Sequence, residues 1–312
     1  MSERVGVLLL AYGTPAGPHE VLAYYTHIRR GRPPTPELLD ELTGRYLAIG
    51  GASPLLGIAR TLAESLENEL NERFTDDRFL VALGMKHAAP FIEDGVAALA
   101  AAGVERTVAI VLAPHYSQLS VEEYVQRVRS AAPAAELGSL TFVREWHLEP
   151  AYLALLAQRV QAELERLRSN GASAVRVLFT AHSLPSWILE RGDPYPDQLG
   201  ETATAVAQLA GVDDWAVAWQ SAGRTAEPWI GPDVCEVITE LGAAGSHDAV
   251  LVCPAGFVSD HLEILYDLDI QARDVATLAG LRFARTALPN ADPAFVSLLA
   301  GIVEAGLPAV TR

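Results

Sequence analysis

The stretch VGVLLLAYGTP (residues 5–15) is an apolar run that ends in a turn of small residues, and a second copy, VRVLFTAHSLP (residues 175–185), follows 170 residues later. Both end in A-[aromatic]-[small]-x-P. A short run that is apolar on both faces reads as a buried parallel strand. Further runs at Phe79–Leu83, Thr107–Leu112, Ala216–Trp219 and Ala249–Val252 read the same way. Between them, Pro54–Phe74, Phe91–Ala102, Val121–Ser130, Ala151–Ser169, Gln198–Leu209, Glu227–Ala243 and Leu262–Ala279 carry helical spacing. Alternation of this kind predicts an α/β fold with parallel sheets covered by helices on both faces. Other echoes support a duplication: Pro90-Phe91-Ile92 with Pro228-Trp229-Ile230, Ala113-Pro114 with Cys253-Pro254, and Ser120 with Ser259. The chain is therefore expected to form two similar halves, residues 1–150 and 151–312, whose strand ends face one cleft.

Composition narrows the classes. Half of the 312 residues are hydrophobic and 20% are charged, enough to bury a sizeable core. A net charge of −16 argues against nucleic acid or an anionic membrane as partner. The start of the chain lacks the pattern of a signal peptide and no run of about 18 apolar residues occurs, so a soluble, cytoplasmic protein without an integral membrane segment is expected. Cys235 and Cys253 lack metal-ligand spacing and are expected to be buried thiols.

The echo between first turn and second strand is about 30 residues longer in the first half, and the surplus is residues 25–56. That insert holds Arg29, Arg30 and Arg32, then Arg45, Tyr46 and Ser53. Such a run also reads as a solvated loop. Beside a strand-end cleft, with Tyr24, Tyr25 and Tyr46 interleaved, it suits a flat ligand bearing carboxylates. In the echo Tyr12 pairs with His182, and Tyr124 with Glu263. Glu263, Asp267 and Gln271 are spaced to share one helix face, a row of oxygen donors for a divalent cation. A capping box from Asp260 is the alternative reading of Glu263. Imidazole with carboxylate can bind iron(II) transiently and accept protons at neutral pH. By itself this does not separate metal insertion from other His/Glu acid-base chemistry.

LLLAYGTP (8–15), YYTHIRRGRPP (24–34), YLAIGGASPL (46–55), GMKHAAPFIEDGV (84–96), LAPHYSQLSVEEY (112–124), FTAHSLP (179–185), WQSAGRTAEPWIGPDV (219–234), CPAGFVSDHLEILYDLDI (253–270) and LPN (288–290) together resemble the ferrochelatase family, in order and over nearly the whole chain. Tyr12 in AYGTP resembles the bacterial coproporphyrin ferrochelatases. The resemblance implies a chelatase-like fold, two Rossmann-like, doubly wound halves with a parallel four-stranded sheet each. It implies insertion of iron(II) into coproporphyrin III in haem biosynthesis, with His182 and Glu263 as the metal-binding and proton-accepting pair. By the same resemblance Tyr12 ligates iron from the other face, and Arg29, Arg45, Tyr46, Ser53 and Tyr124 contact the porphyrin and its propionates. No tightly bound cofactor is implied, iron(II) being a substrate, and two cysteines cannot hold the [2Fe–2S] cluster of some relatives. A monomer in transient contact with a coproheme decarboxylase is expected. Gln271 departs from the pattern where a carboxylate can stand, and His87 reads as a surface or loop-stabilising residue. Alternatives are a protoporphyrin IX ferrochelatase, a cobalt or nickel chelatase, and a non-catalytic tetrapyrrole or small-ligand binding protein.

Overall fold

A computed structural model describes residues 3–74 and 78–307. In chain order its elements are β1 (Val5–Ala11), a 3-10 turn (Pro18–Glu20), α1 (Val21–Ile28), α2 (Pro36–Ala48), α3 (Leu55–Phe74), β2 (Phe79–Met85), α4 (Ile92–Ala101), β3 (Arg106–Val111), α5 (Val121–Ala131), β4 (Ser139–Val143), α6 (Pro150–Ser169), β5 (Val175–His182), α7 (Trp187–Glu190), α8 (Tyr195–Ala210), β6 (Trp215–Gln220), α9 (Val234–Ala244), β7 (Ala249–Cys253), α10 (Leu262–Leu265), a π-helical turn (Asp267–Ala272), α11 (Arg273–Leu278), β8 (Arg282–Arg285) and α12 (Pro293–Gly306). No helix among the described residues is long and apolar enough to cross a membrane.

The strands form two four-stranded, all-parallel sheets with the same topology, β2-β1-β3-β4 and β6-β5-β7-β8. Every residue of β1 and β7 is buried, which is why both read as continuous apolar runs. In each sheet the winding direction reverses after the second strand. The switch points therefore lie between β1 and β3 and between β5 and β7, where ligands of open α/β sheets bind.

Two compact units result. One comprises Met1–Pro114, Ser120–Glu145 and Pro289–Arg312; the other comprises His115–Leu119 and Trp146–Leu288. The chain thus changes unit at Glu145/Trp146, against the expected 150/151, and two segments cross that division. In the first unit α12 packs on α3, burying Phe295, Val296, Leu299, Ile302 and Val303. Arg73 clasps the two helices, donating to Glu304 Oε1 at 2.9 Å and to the Ser297 carbonyl at 3.1 Å.

Several expected boundaries move. The helix expected over Glu227–Ala243 begins only at Val234, because Pro228 and Gly231-Pro232 keep the preceding chain extended. Asp233 then caps the helix, and Glu236 returns the bond to its backbone N–H. The structural counterpart of Pro90 is Pro232, not Pro228: the Pro90 carbonyl accepts from Met85 N–H at 2.8 Å and that of Pro232 from Trp219 N–H at 2.9 Å. The helix expected over Leu262–Ala279 is broken into α10, the π turn and α11, so Glu263, Asp267 and Gln271 do not form one stripe. Glu263 is half-buried, Asp267 buried and Gln271 exposed. Asp260 is engaged with Arg285, whose Nη2 donates to it at 3.0 Å, and α10 is capped at His261, so the capping-box reading of Glu263 is overturned. Residues 25–56 hold the end of α1, all of α2 and the start of α3.

Candidate active site

The second unit places His182 at the carboxyl end of β5 and Glu263 in α10, beyond β7, on the two sides of its switch point. Gly256 lets this region close up: a Cβ there would lie 2.4 Å from that of Ala181. His182 Nδ1 faces the Ser183 carbonyl, which can only accept, so Nδ1 carries a proton and Nε2 is turned to Glu263 Oε1, 3.5 Å away. His261, not singled out from the sequence, repeats the arrangement. Its Nδ1 donates to the Ser259 carbonyl at 2.8 Å and its Nε2 lies 3.3 Å from Glu263 Oε2. Among the described residues no three His, Cys, Asp or Glu side chains surround one point as a metal cage. The carboxylate instead lies between two imidazoles, giving one oxygen to each.

Electrostatics follow. Burial pulls the His182 pKa down, but the Glu263 carboxylate outweighs it and raises the imidazole to about 9. His261 is raised for the same reason. Burial would raise Glu263, yet the two imidazoles hold it well below the usual carboxylate range. The site at neutral pH is a shared, charged hydrogen-bonded group, so a metal ion reaching His182 Nε2 must displace a proton.

In the first unit, Tyr12 follows β1 and is 42% exposed. Gly13 makes its turn, with φ +92 and no room for a Cβ, which would lie 2.9 Å from Ala88 N. The Tyr12 ring packs on His87 at 4.6 Å, and His87 Nδ1 meets His27 Nδ1 at 3.0 Å. Burial first, then the Lys86 charge, lowers His87 to about 3, so it packs as a neutral ring. Lys86 lies over the buried Tyr124 ring at 5.2 Å and pairs with Glu123, which also holds Arg30 at 3.2 Å. Arg30 thus shares its carboxylate with Lys86. Arg29 has no carboxylate partner among the described residues, and its buried Nε has no hydrogen-bond partner; its guanidinium lies over Tyr25 at 5.7 Å. Arg45 pairs with Glu41 at 3.1 Å, while the Ser53 hydroxyl accepts from Leu55 N–H at 3.3 Å at the start of α3. Tyr46 is buried and its hydroxyl meets Thr14 Oγ1 at 3.3 Å, tying α2 to the turn after β1.

Cys253 is buried and Cys235 half-buried; burial pushes both thiols up to about 12. Cys253 is thus buried as expected, and Cys235 departs from the expectation of two buried thiols.

Two α/β units of one topology, with a carboxylate shared by imidazoles at a strand end, define a chelatase fold. SirB from Bacillus subtilis, solved with Fe3+, matches it with a TM-score of 0.58 at 12% identity, covering 97% of this chain and 95% of that one. CbiX, the terminal enzyme of sirohaem biosynthesis in denitrifying bacteria, matches with a TM-score of 0.54 at 15% identity, over 97% of this chain and all of that one. The sequence goes further, since the ferrochelatase family model matches residues 4–307. Coproporphyrin III ferrochelatase of Bacillus mycoides is 44% identical over 305 residues, 97% of both chains. That of Geobacillus thermodenitrificans is 44% identical over 301 residues, 96% of this chain and 95% of its own. The chain belongs to the ferrochelatase family. It is a metal chelatase.

Proposed function

We propose that this enzyme inserts iron(II) into coproporphyrin III, giving iron coproporphyrin III, coproheme. The relatives that match over nearly their full length carry that activity in their names. The observation that carries the chemistry is the His182 Nε2 to Glu263 Oε1 approach of 3.5 Å, with the imidazole anchored at Nδ1.

Insertion exchanges two pyrrole N–H protons for one Fe(II). Iron(II) takes the place of the proton at His182 Nε2, with Glu263 supplying negative charge. As the metal passes to the pyrrole nitrogens, one of the two released protons refills His182 Nε2 and the other leaves to solvent, as did the proton that iron displaced, while His261 keeps the second carboxylate oxygen occupied. Tyr12 supplies the axial phenol to the product. On the first unit, Arg29, whose buried Nε has no hydrogen-bond partner, takes a propionate, with Arg45 and Ser53 alongside. Tyr46, with its buried hydroxyl on Thr14, acts by holding α2. Tyr124 acts through Lys86. Iron enters as substrate, and no resident cluster is part of this reading.

Anaerobic mixing of the apo-protein with Fe(II) and either coproporphyrin III or protoporphyrin IX, followed by the Soret shift, tests the assignment. Faster turnover of protoporphyrin IX would replace the substrate named here.

Two variants probe the first unit. Arg29→Ala weakens coproporphyrin III binding by roughly 10-fold, the worth of one hydrogen bond to a charged group, and flattens its salt dependence. Fluorescence titration at two ionic strengths measures this, and a variant that binds as tightly as the wild type at both would remove Arg29 from the propionate site. Tyr12→Phe changes the visible spectrum of the product more than substrate affinity. An unchanged spectrum discards the phenol as axial ligand.

A further inference from the structure

His182 and Glu263 stand on different elements, and one buried side chain is hydrogen-bonded to both elements. Gln220, the last residue of β6, is 1% exposed. Its Oε1 accepts from Thr180 Oγ1 at 2.9 Å, on β5 two residues before His182. Its Nε2 donates to the backbone carbonyl of Glu263 at 3.0 Å. The Glu263 carbonyl can only accept, which fixes the amide with nitrogen toward α10 and oxygen toward β5. The Gln220 backbone carbonyl in turn accepts from Ser183 N–H at 2.7 Å, and Gln220 is the register partner of His182. The next residue, Ser221, donates its hydroxyl to Asp267 Oδ2 from a left-handed backbone, φ 61. The pair Gln220-Ser221 therefore holds the segment bearing Glu263 at two points four residues apart, while Gln220 alone also grips the strand bearing His182.

The geometry points to Gln220 as a positioning residue for iron transfer, setting the distance between the His182 imidazole and the Glu263 carboxylate. This rests on the reading that those two side chains handle the metal. Gln220 itself is given no contact with substrate. An amide with every polar group committed inside the protein is costly to disturb, because either fixed partner is then left buried and unpaired. A displacement of the carboxylate by about 1 Å is enough to lower a rate on the order of 10²-fold.

Gln220→Met keeps length and volume and removes both side-chain bonds; Thr180→Val removes one anchor with little change of shape. With the full chain, Fe(II) and coproporphyrin III under anaerobic conditions, Gln220→Met is expected to lose roughly 10- to 100-fold in kcat/KM for iron. The KM for coproporphyrin III stays at the wild-type value. Thr180→Val moves the same way by less, and adds little in the Gln220→Met background because both act through one bonded group. A residue needed only for stability would lower the melting temperature without separating the two KM values. Folded variants with wild-type iron kinetics, or with both KM values shifted alike, overturn the inference, and if Gln220→Met does not fold then Thr180→Val decides. His182→Ala run in parallel separates the two levels. Turnover retained there removes the underlying reading, whereas its loss beside a fully active Gln220→Met rejects the role of Gln220 alone.

Discussion

In the His182→Ala variant iron insertion falls by roughly 10²- to 10⁴-fold, the range for removing a positioned proton-transfer group, while coproporphyrin III still binds. The expectation follows from how the imidazole is held. With Nδ1 committed to the Ser183 carbonyl, Nε2 is the one ring atom left for chemistry, and it faces Glu263. Alanine removes both the nitrogen donor and the proton acceptor, yet touches none of the arginines of the first unit. Rapid-mixing absorbance in the Soret region, with porphyrin binding read separately by fluorescence, distinguishes the two effects. Wild-type turnover in this variant would remove the central assignment.

Glu263→Gln has the second large effect, and its signature is in pH. In the wild type the His182 pKa stands at about 9, above the ordinary 6.5, because the carboxylate outweighs burial. With the pKa raised, the stability that the charged pair contributes is fully present below about pH 6.5, and the pair itself is lost as pH climbs through about 9. Iron(II) must displace that proton, so insertion by the wild type increases with pH toward about 9. With glutamine the anionic partner is gone, and the His182 titration moves down toward the ordinary value. The rising limb of the rate profile shifts with it. The plateau nevertheless drops on the order of 10²-fold, because no carboxylate remains to share metal and proton. Titration of the His182 ring by 1H–13C correlation NMR measures the shift. An imidazole that titrates identically in both proteins contradicts the coupling.

The parts of the fold that the sequence displays are those where burial is two-sided. β1 and β7 are wholly buried and each is a continuous apolar run, and β5 is buried from Val177 to Ala181. The edge strands β4 and β8 are short and half-exposed, Ser139–Val143 and Arg282–Arg285, so no apolar run announces them. The break after α10 has no periodic trace, since it is set by tertiary anchors. Ser221 takes Asp267, and Arg285 takes Asp269 at 2.7 Å and Asp260 at 3.0 Å, drawing the chain into a wide turn.

The site divides in the same way. His182 and Glu263 stand out because strand ends and helix starts at a switch point are where chemistry collects. His261 is two residues from Glu263 and in plain view, but its partner choice depends on the Ser259 carbonyl and is not written in spacing. Arg29, Arg30 and Arg45 look alike in sequence. Only the folded chain separates Arg29, whose buried Nε has no hydrogen-bond partner, from Arg30, which meets Glu123, and Arg45, which meets Glu41.

The return of α12 to the first unit bears on the order in which the chain matures. Its apolar face completes the packing of α3, and Arg73 clasps it through Glu304 and Ser297, yet these residues are synthesised after the whole of Trp146–Leu288. A ribosome-bound chain can therefore finish the second unit while the first, begun earlier, still exposes the side of α3 that awaits α12. Shortening the chain within α12 would thus register in the unit that carries Tyr12 and Arg29, almost three hundred residues upstream, before it registers at His182.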